Sequence, residues 1–364
     1  MTFSLNRSQL AKELALLQSA AEPKGTIPVL GFIRFAIADG KAQLTASDMA
    51  LTLAVEMEAA GEYRGCIPMK QLSALVKLLD EDEVKFTQKP NGRIEVKAGT
   101  SKHLLVTLPF EDFPEAETAQ GATISIEAAQ LLSMLNHTAF CAGQEGEGKG
   151  YIFECVSLET KEKELTLAAT NSRQFGAVAC GIDSDAELAA LLPTRCIDGL
   201  IKLCDGEGVV VITADDNHAQ FQHSNRTLTT RLVFGKFPNW RLAMPEALQH
   251  EVVIDPVKLA LSLKRACVTT RESKMIRHPL NLTFTKSQLS ITSSSEDGES
   301  ADTLPIECAS LNGSELEIRV NGEHLLSFIA HTEGKVRCQF SDARLLQLGL
   351  DGYLNYRYIT MALR

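Results

Sequence analysis

Apolar and polar residues alternate along most of this chain in short runs, the period-two pattern of strands with one buried face. A few stretches break the alternation with an apolar spacing of three to four. The first follows Phe3-Ser4-Leu5, where Asn6 is a helix-starting residue and Leu10, Leu14 and Leu17 then share one side. The same sequence of events returns at Ile124-Ser125-Ile126-Glu127 with Leu131 and Leu135, and again at Val252-Val253-Ile254-Asp255-Pro256 with Leu259 and Leu263. The spacing is 121 residues from Phe3 to Ile124 and 128 from Ile124 to Val252. Self-similarity at domain length predicts three copies of one domain.

Within copy one, alternation predicts strands over Phe32–Ala38, 42–46 and Leu51–Glu58, and a strand at 66–68 that leads into a second helix with Leu72, Leu75, Val76 and Leu79 inward. Strands Glu83–Gln88, Arg93–Ala98 and 103–108 follow, the first two joined by the turn Pro90-Asn91-Gly92. The second helix of copy two follows Leu192-Pro193-Thr194-Arg195 with Ile197, Leu200 and Ile201 inward. That of copy three follows Asn321-Gly322 with Leu325, Phe328 and Ile329 inward. Each copy reads β-α-β-β-β-α-β-β-β, an α+β architecture, with domains at 1–117, 118–246 and 247–364.

Composition adds exclusions. The net charge of −10 argues against a protein that grips nucleic acid over most of its surface, though not against basic patches on one face. No run of about 18 apolar residues is present. Asn6, Arg7, Gln9 and Lys12 interrupt the region where a signal peptide needs an apolar core, so a cytoplasmic protein is expected. The nine cysteines include no C-x-x-C, and the closest pair, Cys196 and Cys204, is eight apart. Neither a disulfide framework nor a zinc site is expected, and no cofactor is implied.

Two stretches invite a functional reading that their context denies. Residues 143–150 approach a phosphate loop, but Gly150 stands where a magnesium-holding Ser or Thr is needed, and the loop runs from helix to strand. The acidic run Ser293-Ser294-Ser295-Glu296-Asp297-Gly298-Glu299 reads as a solvated loop. The eight histidines fall at unrelated places in the repeat, and no hydrolase or dinucleotide motif occurs. A non-catalytic protein is expected.

Four motifs, in order and each on its own place in the repeat, carry a resemblance. They are Lys24-Gly25-Thr26-Ile27-Pro28-Val29-Leu30-Gly31, Thr107-Leu108-Pro109 with Asp112-Phe113-Pro114, Phe237-Pro238-Asn239-Trp240-Arg241, and the tail from Tyr358 to Arg364. Along its whole length the chain resembles the bacterial DNA polymerase III beta-subunit family, the sliding clamps. The resemblance implies a head-to-tail dimer closing a ring of six domains, with duplex DNA running through a helix-lined channel. It also implies partners: the polymerase III alpha subunit, the clamp loader and other proteins carrying a short peptide motif that contains Gln and Leu or Phe.

On this resemblance the DNA-facing residues are Arg7, Lys12, Lys24, Lys70, Lys77, Arg195, Lys202 and Lys264, with Gln144, Lys149 and Tyr151 around the glycine-rich loop. Lys77 and Lys202 hold the same repeat position. The partner-peptide pocket comprises Ile152, Thr170, Ser172, Arg173, Gln174, Phe175, Pro238, Leu242 and Ala243, and the tail residues Ile359, Thr360, Met361, Ala362, Leu363 and Arg364. Here the chain departs from the family. TDGHRL is replaced by Thr170-Asn171-Ser172-Arg173-Gln174-Phe175, and MPMRL by Met361-Ala362-Leu363-Arg364. An altered peptide preference is expected, since Phe adds bulk and Ser removes backbone freedom. The subunit join is placed at His103, Leu105, Val268 and Thr269, more polar than is usual in the family, which predicts a looser ring. Two other readings fit these departures: a divergent clamp paralogue serving a repair or mobile-element polymerase, and a monomeric interaction module that has lost ring closure.

Overall fold

A computed structural model describes residues 1–21, 26–144, 150–244, 248–270, 278–296, 298–311, 315–331, 333–341, 344–350 and 353–363. The described residues form six α-helices, two per sequence copy: α1 (Arg7–Leu17), α2 (Met69–Val76), α3 (Ala128–Thr138), α4 (Ile197–Leu203), α5 (Pro256–Cys267) and α6 (Gly322–Ala330). Their starts follow local chemistry. Asn6 Oδ1 accepts from Gln9 N at 3.0 Å, Asp255 Oδ1 from Lys258 N at 2.9 Å, and Asn321 Oδ1 from Glu323 N at 3.0 Å. Each satisfies a helix N–H that has no partner within the helix.

The strand count differs from the repeat formula, although in copy one the four strands read individually, including the one at 66–68, are all present. Four principal strands, not three, separate the two helices of each copy. In copy one they are Phe32–Ala38, Lys41–Ser47, Leu51–Glu58 and Tyr63–Pro68. In copy two they are Cys155–Lys161, Glu164–Thr170, Gln174–Gly181 and Leu188–Pro193. In copy three they are Pro279–Phe284, Gln288–Ser295, Gly298–Pro305 and Leu316–Asn321. Tyr63–Pro68 starts three residues before the strand expected at 66–68 and is buried on both faces over most of its length, so alternation does not mark its start.

The chain divides into two compact units that do not coincide with the three copies. One holds Met1–Leu132 and Ile182–Val233, the other Ser133–Gly181 and Phe234–Arg364, so copy two is shared between them. In the first unit a five-stranded sheet runs Ala60–Gly61, Thr2–Asn6, Glu83–Gln88, Arg93–Ala98, Ser101–Val106. An eight-stranded sheet runs Ala122–Glu127, Val209–Ala214, His218–His223, Arg226–Arg231, Leu51–Glu58, Lys41–Ser47, Phe32–Ala38, Tyr63–Pro68. Phe3 sits in the core, stacked on Phe86 with centroids 4.5 Å apart and on Tyr63 at 4.9 Å. In the second unit, neighbouring strands run Cys155–Lys161, Glu164–Thr170, Gln174–Gly181, Tyr353–Met361, Leu345–Leu350, Val336–Phe340, His250–Ile254, Glu307–Ser310. A four-stranded sheet there runs Gly298–Pro305, Gln288–Ser295, Pro279–Phe284, Leu316–Asn321. Phe284, Phe328, Phe340 and Tyr358 fill the interior of this unit.

One rule joins the copies. The third strand of copy one, Leu51–Glu58, pairs antiparallel with the last strand of copy two, Arg226–Arg231, with Leu53 opposite Leu228. The third strand of copy two, Gln174–Gly181, pairs antiparallel with the last strand of copy three, Tyr353–Met361, with Phe175 opposite Ile359. The third strand of copy three, Gly298–Pro305, and the last strand of copy one, Ser101–Val106, are edge strands among the described residues.

Candidate peptide pocket and nucleic-acid-facing helices

The pocket region is built around one tight turn. Thr170 Oγ1 accepts from Ser172 N at 3.1 Å and donates to Gln174 O at 2.7 Å. Asn171 Oδ1 accepts from both Arg173 N and Gln174 N at 3.0 Å. Short polar side chains bonding to backbone two and three residues ahead replace a sheet ladder locally. Ser172 sits at φ 72°, a left-handed conformation that glycine adopts freely and serine does not. The loss of freedom expected for Ser in place of Gly is therefore met by side-chain bonds that hold the turn. Arg173 O accepts from Met361 N at 3.0 Å, tying the turn to the final strand.

Beside the turn, Phe175 packs on Trp240 with centroids 4.9 Å apart, and forms a buried cluster with Ala168 and Ala177 against which Phe237, Trp240 and Met244 also pack. Arg241 lies over the Trp240 ring at 4.5 Å and pairs with Glu159 at 3.2 Å. A polar frame stands behind. Tyr358 Oη donates to Gln174 Oε1 at 2.8 Å and to His324 O at 3.0 Å, Gln174 Nε2 donates to Phe140 O at 3.1 Å, and His324 Nδ1 meets Thr360 Oγ1 at 3.1 Å.

The predicted pocket residues thus separate into two groups. Thr170 is buried and committed to the turn and Gln174 and Thr360 to the frame, with Phe175 and Ile359 buried beside them. Ile152, Arg173, Pro238, Ala362 and Leu363 are half-buried, while Ser172, Leu242 and Met361 are exposed. Arg364 and the Ala243 side chain lie outside the described residues.

Copy one carries the same turn. Ser47 Oγ accepts from Met49 N at 3.1 Å, Asp48 Oδ1 from Ala50 N and Leu51 N at 2.9 and 2.7 Å, Met49 lies at φ 75°, and Ala50 O accepts from Arg231 N at 2.8 Å. Its neighbours are polar. A cavity of about 30 Å³ there is lined by Glu115, Glu117, His218, Thr229, Thr230 and Arg231, among others, and Glu117 pairs with both His218 and Arg231. Of these two turns, the copy-two turn is the one set among aromatic and aliphatic side chains. The sequence pattern Ser-Asp-Met against Thr-Asn-Ser is the signal that could have revealed this equivalence.

The basic residues lie on or beside helices. In the first unit α1 packs against α2 and α4. Lys70, Lys77 and Lys202 are exposed there. Lys12 pairs with Asp205 at 3.3 Å, Arg195 pairs with the buried Asp48, and Lys202 Nζ donates to Ser19 Oγ at 3.0 Å, so these three already have partners within the unit. Arg7 is half-buried. In the second unit Lys264 on α5 is exposed and Arg265 pairs with Asp302. Gln144 and Tyr151 are exposed, whereas Lys24 and Lys149 lie outside the described residues.

At the predicted join, His103 is exposed and Leu105 half-buried on the edge strand, Val268 is 82% exposed at the end of α5, and Thr269 bonds Ser293 Oγ at 2.8 Å. Sequence reasoning missed Leu104 and Val106, both exposed on the same strand, and Leu78, 80% exposed just beyond α2. An uncovered edge strand exposes both faces, so reading one face by period two omits half of it.

Residues 1–117 match the N-terminal domain of the DNA polymerase III beta subunit, and residues 125–239 match its central domain. The chain is 27% identical over 377 positions to the beta sliding clamp of Pseudomonas putida, covering 100% of both chains, and 24% identical over 366 positions to that of Chlamydia pneumoniae, covering 99% and 95%. The crystal structure of the DNA polymerase III subunit beta of Pseudomonas aeruginosa is similar with a TM-score of 0.90 at 25% identity over 100% of both chains. A sliding clamp from the same organism, bound to griselimycin, matches with a TM-score of 0.92 at 25% identity over 100% of this chain and 99% of that one. The beta subunit of Thermotoga maritima, at 20% identity and a TM-score of 0.91 over 100% of both chains, shares the fold. The chain belongs to the DNA polymerase III beta-subunit family, as a divergent member.

Proposed function

We propose that this protein is a sliding clamp: a non-catalytic ring of two chains that encircles duplex DNA and tethers a DNA polymerase to it. The observation that carries this reading is the strand rule. At both internal junctions the third strand of one copy pairs with the last strand of the next. Gly298–Pro305 and Ser101–Val106 are the third and last strands left over, and one chain's leftover of each kind fits the other chain's. Such a contact is head to tail, and head-to-tail contacts that close make rings. Exposed edge strands also need cover to avoid open-ended pairing. Lys102 on one edge and Glu299 on the other favour this pairing electrostatically.

In this reading the chain has three clamp domains, 1–117, 118–246 and 247–364, and works in the cytoplasm beside the replication machinery. Lys70, Lys77, Lys202 and Lys264 face phosphates with modest, sequence-independent attraction, which lets the ring slide. The copy-two pocket takes a linear peptide from the polymerase, the clamp loader and other partners, with its preference altered by Phe175 and Trp240. That alteration favours a specialised paralogue as the second reading. The test is solution mass by light scattering over a dilution series, followed by loading onto nicked circular DNA. A mass of twice 39.7 kDa that persists on dilution, and retention on circular but not linear DNA, are the expected results. A monomer at micromolar concentration overturns the ring and leaves an interaction module.

A further inference from the structure

Phe234 is fully exposed, the most uncovered large apolar side chain among the described residues. A lone exposed leucine or valine is ordinary; a whole phenyl ring in water is costly enough to call for a partner. Its neighbour Gly235 has φ 142°, a conformation that favours glycine, and a Cβ placed there would lie 3.3 Å from Ile152 Cδ1. The backbone beside Phe234 therefore rests directly on a pocket residue. The same segment continues through Phe237 and Trp240, packed against the Phe175 cluster, to Leu242, which is 83% exposed. One wall of the pocket thus carries an uncovered apolar side chain at each end, and the inward residues between them are already filled by each other.

We infer that the peptide groove extends past Ile152 to Phe234, and that partner peptides carry an additional large apolar residue flanking the pocket-filling core. This rests on the copy-two pocket being the peptide site. Phe175 and Trp240 occupy each other's surface, so part of the affinity that a roomier pocket would provide is supplied by burying Phe234 instead. A phenyl ring and an aliphatic or aromatic partner residue exclude water from each other without requiring a hydrogen bond, so the flanking residue is defined by size and apolarity.

The experiment is fluorescence anisotropy on the full chain with three labelled probes. One is a pentapeptide containing Gln, Leu and Phe; the others are the same peptide extended by one Leu at either end, with Ser-extended peptides as controls. On the unaltered protein one Leu-extended peptide should bind about tenfold tighter than the core peptide, as expected for burying one apolar side chain. In Phe234→Ser that gain should vanish while the core peptide keeps its affinity within about twofold. Equal affinities for core and extended peptides, or a gain that survives Phe234→Ser, overturn the inference and leave the pocket standing. No binding of the core or of either extended peptide at high micromolar concentration overturns the pocket reading, and the extension with it.

Discussion

Glu13 on α1 and Arg226 on the last strand of copy two form a bidentate ion pair, Nε to Oε2 at 2.9 Å and Nη2 to Oε1 at 3.0 Å, with both side chains buried. Arg226 Nη1 also donates to Lys202 O at 3.4 Å. The pair stands where the first helix of one copy meets the sheet it shares with the next. Removing one partner leaves an uncompensated buried charge, so Glu13→Ala should cost about 3–5 kcal/mol of stability, measured by urea unfolding. Replacing both with apolar residues of similar volume should cost far less. A Glu13→Ala loss below about 1 kcal/mol would show that the arginine finds water instead.

The copy-two turn depends on Asn171, whose Oδ1 satisfies two backbone N–H groups. Asn171→Ala should lower stability by about 1–2 kcal/mol and weaken peptide binding, because the turn that presents Ser172 and Arg173 loosens. Subunit association should not change. Calorimetry, peptide anisotropy and light scattering on the same variant separate these effects.

Burial pushes the Cys66, Cys155, Cys196 and Cys204 thiols up to about 12, and Tyr63 likewise to about 12. Well below pH 9 these thiols are almost wholly protonated in both folded and unfolded chains and contribute little pH dependence. Above pH 9 the unfolded chain releases protons that the folded chain retains, so folding stability falls as pH rises from about 9 toward 12. The urea midpoint should therefore be lower at pH 10 than at pH 8. At pH 8 the native protein should react slowly with iodoacetamide at these positions and quickly once unfolded. Fast labelling of the folded chain at Cys66 would contradict its burial.

Leu104 and Val106 are exposed on the edge strand, beside His103. Leu104→Asp with Val106→Asp should convert a dimer to a monomer at micromolar concentration while the melting temperature moves little, since neither side chain is buried within the chain. Light scattering and a thermal melt check both parts. A dimer that survives both substitutions would place the join elsewhere.

Lys77 and Lys202 hold the same repeat position and are both exposed at the ends of second helices. Lys77→Ala should reduce the salt dependence of DNA association, lowering the slope of log affinity against log salt by about 1 if the lysine displaces one counterion. Lys12, already paired with Asp205, should change it less.

Much of this protein was legible before any coordinates. The threefold repeat, the helix starts at Asn6 and Asp255 and the period-two strands all depend on residues within a few positions of one another. Such patterns are set by the helix and strand periods and by side chains bonding their own backbone. The family motifs added expectations for a copy-two pocket, DNA-facing lysines and a subunit join. The strand before α2 was legible at 66–68 but its start at Tyr63 was not, because Tyr63–Pro68 is buried on both faces over most of its length and shows little alternation.

What only the tertiary structure decided concerns pairs that are distant in the chain. The sharing of copy two between two compact units follows from ladders such as Leu53 with Leu228 and Phe175 with Ile359, whose register no local pattern encodes. The Glu13–Arg226 pair spans 213 positions, and each residue alone reads as an ordinary surface charge. Gln174 and Thr360 read as pocket lining and are instead buried frame, while the exposure of Leu104, Val106 and Phe234 is not marked by any local pattern. Whether a side chain is covered depends on which other strands and loops arrive over it. That is a property of packing between elements, and periodicity within one element does not contain it.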